Sequence, residues 1–314
     1  MKILVAPLNW GLGHASRCVP LVLRFLNEGH EVILGGDGES LTLLRKHFPQ
    51  LRYVYLAPLH LRYSKSKRQV LAMIKALPSI IAWSLKDHTI LQSVLQEEHI
   101  DRVVSDNRFG LFNKRTECIY LTHQLHILLP KGWQWAEGIV GRLHAWVYKH
   151  YNRVWVPDYK EYDKSLAGRL SHPNRVPLNH LVEYIGPLSR FTPNSDVRNG
   201  HEVVAILSGL EPHRTLLEKE IIHRYTGTDK DVLIVQGLMH RPNTRIKRGN
   251  ITIVPYLADK ELAAEMKGAN HIIARSGYST IMDLVALGMM DKAELIPTPG
   301  QPEQEYLALL LCKK

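Results

Sequence analysis

ARSGYSTIMDLVALGMMDKAELIPTPGQPEQEY, Ala274 to Tyr306, decides how this chain is read. The apolar run His271–Ala274 leads into a polar turn, Arg275-Ser276-Gly277. That turn opens a helical pattern carrying Asp283 about two turns in. A second strand, Glu294–Pro297, then enters a Pro/Gly loop holding Gln301, Glu303 and Gln304. Strand, turn, helix, strand and loop in this order form a nucleotide grip. Free amides at a helix N-terminus meet phosphate, and a carboxylate further along takes ribose hydroxyls. The segment points to a nucleotide-type ligand, and within that class to a sugar nucleotide.

Working outward, residues 201–273 repeat the same alternation: strand Val203–Leu207, helix Pro212–Tyr225, strands Val232–Gln236 and Ile251–Val254, and helix Asp259–Lys267. The first half alternates likewise. Lys2–Leu8, Glu31–Leu34, Leu51–Leu56, Arg102–Ser105, Cys118–Thr122 and Arg153–Val156 read as strands. Ala15–Glu28, Ser40–His47, Lys67–Glu98 and Trp135–Tyr151 read as helices, the third expected to break at Pro78. Short apolar strands between amphipathic helices specify parallel sheets covered on both faces. The polar stretch around 189–200 separates an N-terminal domain, 1–188, from a C-terminal one, 201–314. A helix begun near Tyr306 would have barely two turns, so the C-terminal domain is expected to lack its last helices.

The composition, 45% hydrophobic and 22% charged in 314 residues, is that of a globular protein long enough for two cores. No apolar run spans a bilayer, and the start has no signal-peptide anatomy. Cys18, Cys118 and Cys312 show neither metal spacing nor a disulfide framework, as expected of a cytoplasmic protein. The net charge of +10 is one-sided: residues 1–190 hold 25 Lys and Arg against 15 Asp and Glu, and residues 191–314 hold 15 of each. An anionic partner for the first half follows: a membrane surface, a phosphorylated lipid or an acidic glycan. Nucleic acid is not expected, since no recognition motif supports it.

Three further constellations carry chemistry. Asn9-Trp10-Gly11-Leu12-Gly13-His14-Ala15-Ser16-Arg17 follows the first strand; its glycines allow close backbone approach, and His14 at the turn–helix junction suits a general base. Ser105-Asp106-Asn107-Arg108-Phe109-Gly110 ends a strand, where cleft residues gather, although an Asx turn would explain it equally. His123, after the next strand, has the same placement. Ser208-Gly209 between strand and helix is a minimal phosphate loop. In the opening segment Ser276, Gly277 and Thr280 offer amides and hydroxyls to a diphosphate, with Arg275 as charge partner, and Gln301, Glu303 and Gln304 suit sugar hydroxyls. Asp229-Lys230-Asp231 has a DxD spacing but precedes a strand, at the wrong end for a cleft. The histidines form no zinc pattern, and no metal is expected. The apolar–basic stretch after Trp133 and Trp135 reads as a core helix rather than an interfacial one.

GLGHASR, SDNRFG and ARSGYSTIMDLVALG…IPTPGQPEQEY together resemble the GT-B glycosyltransferases, and within them the branch of the peptidoglycan N-acetylglucosaminyltransferase and related UDP-sugar transferases. The resemblance implies two Rossmann-like domains facing a central cleft, with the donor UDP-sugar on the C-terminal one and no separate cofactor. It places Ser208, Gly209 and Thr280 at the diphosphate, the turn containing Tyr256 and Leu257 around uracil, Asp283 on the ribose, and Glu303 and Gln304 on the sugar. Relatives carry Glu where this chain has Asp283, and Asn where it has Leu307 or Ala308. The implied activity is an inverting, metal-independent transfer to a lipid-linked or glycan acceptor. His14 or Asp106 would be the base, with Gly13 beside the donor and Asn107, Arg108 and His123 on the acceptor side. The alternatives are a UDP-sugar epimerase using Asp106, His123 and His213, and a non-catalytic sugar-nucleotide-binding homologue. The implied location is cytoplasmic, with peripheral contact at the inner membrane face.

Overall fold

A computed structural model describes residues 1–59, 69–174 (backbone alone for 69–74), 178–193, 196–197, 200–209 and 211–311. The first half is built from β1 (Lys2–Pro7), α1 (Leu12–Asn27), β2 (Glu31–Gly36), α2 (Gly38–His47), β3 (Tyr53–Tyr55), α3 (Gln69–Glu97), β4 (Arg102–Asp106), β5 (Glu117–Leu121), α4 (Glu137–Tyr148), β6 (Arg153–Val156) and β7 (Val182–Tyr184). The second contains β8 (Val203–Ile206), α5 (His213–Tyr225), β9 (Val232–Val235), β10 (Ile246–Arg248), β11 (Ile251–Val254), α6 (Asp259–Gly268), β12 (His271–Arg275), α7 (Tyr278–Leu287), β13 (Ala293–Ile296) and α8 (Pro302–Leu311).

Each half forms its own sheet. The first has strand order β3-β2-β1-β4-β5-β6-β7 with every pairing parallel. The second runs β10-β11-β9-β8-β12-β13, parallel except for β10. The central strands are mostly apolar because both faces are covered, whereas the edge strands β3, β7 and β10 are short and partly or wholly exposed. Ile3 and Val5 of β1 face the core under α1 and α2, whereas Leu4 and Ala6 face the core under α3 and α4. In the second sheet Val203 and Ala205 pack toward Leu217 and Ile221 of α5, and Val204 packs toward Leu262 and Leu284 of α6 and α7.

Strand order reverses at β1/β4 in one sheet and at β8/β12 in the other, and crevices open at the carboxyl ends of such switch points. The two crevices meet. A further core, combining Leu128, Leu166 and Leu170 with Tyr278, Ile281, Met282 and Leu307, packs one domain on the other.

Three expectations are corrected. α3 runs unbroken through Pro78, which is exposed, so the carbonyl that lacks a donor lies on the solvent side. α8 begins at Pro302 rather than near Tyr306, and it packs on the N-terminal domain. Its Tyr306 hydroxyl accepts from the Arg169 amide at 3.0 Å, and Leu307 is fully buried. The stretch after Trp133 is no simple core helix: one side carries Ala145 and Tyr148 into the core, while Trp135, Ile139, Leu143 and Trp146 are exposed. Cys312 lies outside the described residues. No helix among the described residues is long and apolar enough to cross a membrane.

Candidate active site

The cleft between the domains encloses about 480 Å³. At its floor α1 begins at Gly11, whose φ of 78° lets the chain turn from strand into helix. Across the cleft α7 begins after Gly277. Neither helix has a side-chain cap or an acid in its first turn, so both leave free amides for an anion. The two N-termini touch: the Ser279 hydroxyl donates to the Gly13 carbonyl at 2.8 Å, and a Cβ on Gly13 would come within 3.0 Å of Ser279 Oγ.

His14 and Asp106 stand on neighbouring elements, because α1 follows β1 and Asp106 pairs with Pro7 at the end of β4. His14 Nδ1 lies 2.9 Å from Asp106 Oδ1. Nδ1 also stands 2.9 Å from Arg17 Nη2, which only donates, whereas the carboxylate only accepts; the tautomer that bonds Asp106 carries its hydrogen on Nδ1 and leaves the Nε2 lone pair free. Asp106 is fully buried, behind the histidine rather than in the cleft, which rules it out as the base and makes it the group that orients His14. Burial alone would raise its carboxyl, but Arg17 and His14 outweigh that and hold it well below the usual range.

Arg17 is the residue that the sequence reading missed. It closes GLGHASR one turn after His14 on the same helix face, a spacing that brings both side chains to one partner. Its guanidinium is buried, donates from Nε to Asp106 Oδ2 at 2.7 Å and from Nη2 to Oδ1, and from Nη1 to His123 Nδ1 at 3.1 Å. His123 therefore donates from Nε2 to Glu303 Oε1 at 2.7 Å. Burial lowers the His123 imidazole, outweighing the pull of Glu303. The Glu303 carboxyl, which burial would raise, is held below its usual value chiefly by His123. A continuous polar chain, His14–Asp106–Arg17–His123–Glu303, thus crosses from one domain to the other.

The C-terminal wall of the cleft is mixed. Ser208, Gly209, Tyr256, Leu257, Gly277, Thr280 and Asp283 line the cleft, as do Gln301, Glu303 and Gln304. Lys46 of α2 sits 3.8 Å over the Tyr256 ring. Asp283 accepts from Ser189 Oγ at 2.6 Å, and burial pushes its carboxyl up to about 6 despite Arg190 nearby. Gln304 Oε1 accepts from the Thr298 amide at 2.8 Å.

Three sequence assignments do not survive. Arg275 is buried outside the cleft lining, donating to the carbonyls of Pro297 at 3.0 Å and His213 at 2.8 Å, so it braces strand ends instead of facing a diphosphate. Ser276 is fully buried and donates to the Gln304 carbonyl at 2.8 Å. Arg108, assigned to the acceptor side, is fully buried with Asp87 at 2.8 and 3.0 Å and Asp37 at 2.8 Å. In each case the polar side chain is consumed by partners on other segments of the chain. Asn107, by contrast, lines the cleft in a left-handed conformation (φ 55°) and accepts from the Tyr120 hydroxyl at 2.9 Å. Asp229 precedes β9, away from the cleft, and Lys230 pairs with Glu202 at 3.0 Å. Among the described residues no three His, Cys, Asp or Glu side chains are grouped to hold a metal.

No family model matches the chain. Two proteins of Methanosarcina acetivorans, each named an uncharacterized glycosyltransferase, are 24% identical to it. One aligns over 328 residues, 99% of this chain and 83% of the relative, and the other over 338 residues, 99% and 81%. Solved structures superpose along the whole chain. They include the glycotransferase of kitacinnamycin (TM-score 0.60, 13% identity, 98% of this chain and 83% of that one). A spinosyn rhamnosyltransferase complexed with thymidine diphosphate is similar (0.58, 14%, 98% and 84%), as is Phytolacca americana UGT2 complexed with UDP-2fluoro-glucose and pterostilbene (0.58, 15%, 99% and 83%). None of these five belongs by name to the peptidoglycan branch. Two parallel-sheet domains closing on one cleft, matched end to end by these transferases, give this chain the GT-B glycosyltransferase fold.

Proposed function

We propose that the protein transfers a sugar from a UDP-sugar to a hydroxyl of a lipid-linked or glycan acceptor, with inversion and without a metal. The observation that carries this reading is the His14–Asp106 pair at the meeting point of the two helix N-termini. His14 Nε2 removes the acceptor proton while the acceptor oxygen attacks the anomeric carbon. The bond from that carbon to the diphosphate oxygen breaks, UDP leaves, and Asp106 stabilises the imidazolium that forms. The open amides of α1 and α7, with the Ser208-Gly209 turn, face the charge that develops on the leaving diphosphate, a role for which Arg275 is not available. Asp283 would hold the ribose, and Glu303 or Gln304 the sugar.

The epimerase alternative is weakened because His213, one of its three acid/base groups, does not line the cleft. The test is a thermal-shift series with UDP, thymidine diphosphate and UDP-sugars, followed by product analysis with and without acceptors. A ligand at about 100 times its Kd adds roughly 2.7 kcal/mol, a shift of several degrees. No shift by any uridine nucleotide overturns the donor assignment, and conversion of the donor alone, without acceptor, favours epimerisation.

A further inference from the structure

We propose that His144 selects the acceptor: its Nδ1 takes a hydrogen bond from a hydroxyl or N–H group on an uncharged, ring-bearing part of that molecule. That the ligand is the sugar acceptor rests on the transfer proposed above; the recognition itself does not. Two polar chains leave the end of β4. Asp106 leads to His14, and Asn107, the next residue, begins the second. Asn107 Oδ1 accepts from the Tyr120 hydroxyl at 2.9 Å, and the same hydroxyl oxygen stands 3.0 Å from Nε2 of His144 on α4. Tyr120 has one hydrogen and gives it to Asn107, so its oxygen accepts from His144 and Nε2 carries the imidazole hydrogen. The Nδ1 lone pair is what remains.

That lone pair is buried and unused. His144 is 7% exposed, lines the cleft, and has no hydrogen-bond partner for Nδ1 among the described residues. Burial holds the imidazole down to about 4, so at neutral pH the ring is uncharged and Nδ1 only accepts. A buried polar atom left unpaired is unfavourable, and one that persists needs a reason. Packing does not supply it. The neighbouring rings, Phe109 at 6.4 Å and Tyr148 at 5.3 Å, meet His144 edge-on, a contact that a phenylalanine would make equally well.

The wall around His144 selects the body of the ligand. Trp10, Phe109, Tyr120, Ile127 and Leu128 line the same half of the cleft. Among the described residues from Leu8 to His144 that line it, there is no Lys, Asp or Glu. The one arginine there, Arg17, is committed to Asp106 and His123. A charged group entering this half would lose its water and meet no free counter-charge from these side chains. An uncharged ring lies against such walls, and one hydrogen bond to Nδ1 fixes its orientation. A ligand without the donor leaves Nδ1 buried and unpaired, which turns a single bond into selectivity.

The test is binding, read without turnover. Three probes of similar shape are titrated against the full chain by ligand-observed NMR, with no nucleotide present. They are 2-naphthol, 2-fluoronaphthalene, which has no hydrogen to donate, and 2-naphthoate, which carries a charge. The wild type should prefer 2-naphthol to either of the others by about tenfold, the effect of one hydrogen bond to a buried acceptor. His144→Phe should bring 2-naphthol and 2-fluoronaphthalene within about twofold of each other while both still bind. Loss of a ratio, with binding kept, separates recognition from a structural role. Tyr120 keeps Asn107 as its partner in this variant, so the melting temperature should hold; if it falls, the wild-type ratios alone carry the test. A wild-type preference under about threefold overturns the proposal. So does a preference kept by His144→Phe, tighter binding of 2-naphthoate, or binding of none of the three. Because nucleotide is left out, failure here leaves the UDP-sugar assignment standing, and the absence of a thermal shift with uridine nucleotides leaves this site standing.

Discussion

His123 of the N-terminal domain donates to Glu303 of the C-terminal domain at 2.7 Å, and this bond ties the two walls of the cleft together. Its histidine is held by Arg17, and the same Arg17 grips Asp106. Glu303, proposed to hold the sugar, is therefore positioned through the same buried guanidinium that grips Asp106 behind His14, the proposed base.

Glu303→Gln keeps an oxygen for the His123 N–H but removes the charge. UDP affinity should stay within about threefold of wild type, because the nucleotide does not depend on this carboxylate. Transfer from the UDP-sugar should fall roughly 10- to 100-fold, the worth of a hydrogen bond to a charged group. Calorimetry with UDP beside steady-state kinetics checks both. A parallel loss of UDP affinity would mean that the bond serves domain closure instead.

His14→Ala should lower kcat by about 10²- to 10⁴-fold with little change in UDP affinity. Asp106→Asn should do similar damage by another route. The carboxamide nitrogen turns a donor toward Nδ1, forces the hydrogen onto Nε2 and removes the base. Equal losses of turnover and of UDP affinity in both variants would contradict the assignment.

Asp283 provides a pH signature. Its folded value is raised to about 6 from the ordinary 3.8, so the native state binds more protons than the unfolded chain between these values. The stability contribution is thus present below pH 4 and is lost as pH rises toward 6, roughly 3 kcal/mol in all. A carboxylate is needed to accept two ribose hydroxyls, so affinity for a UDP-sugar should drop about tenfold per unit below pH 6. Titration calorimetry between pH 5 and 8 checks this; with Asp283→Asn the profile should be flat. A UDP-sugar is the right probe because its diphosphate does not titrate in this range.

Arg108→Met should destabilise the protein by about 3–5 kcal/mol, since it leaves Asp87 fully buried without its guanidinium and Asp37 with only the Asn9 amide in place of its cation. Burial already raises the Asp87 carboxyl against the pull of Arg108. The double variant R108M/D87L should recover part of the loss. Denaturant melts of the two variants and of wild type decide it. An unchanged midpoint with impaired acceptor affinity would return Arg108 to the acceptor side.

Much of this was legible in the chain. Strands buried on both faces write themselves as continuous apolar runs, so the central strands can be read directly, whereas the short, solvated edge strands β7 and β10 leave no such run and were not expected. Glycines at strand-to-helix turns mark where backbone must approach a ligand, which locates Gly11, Gly13, Gly209 and Gly277. Asp106 follows from its place at a strand end, His14 from the turn–helix junction and Asp283 from the helix that the second turn opens. The failures share a cause. Arg275, Ser276 and Arg108 sit in the same kind of turn as the residues that line the cleft, and sequence position does not say whether a polar side chain faces the cleft or turns to buried partners on other segments. Arg17 was overlooked for the same reason: its partners lie 89 and 106 residues away, and only tertiary packing brings a guanidinium between Asp106 and His123.

The sequence by itself determined two parallel α/β units, their order and the turns at which a nucleotide can be met, because those depend on local periodicity and backbone freedom. Only the tertiary structure decided which polar groups face the cleft, that the two helix N-termini touch through Ser279 and Gly13, and that α3 and α4 keep apolar stripes in solvent. Burial and hydrogen-bond pairing between distant residues settle those, and neither is a property of any local stretch of chain.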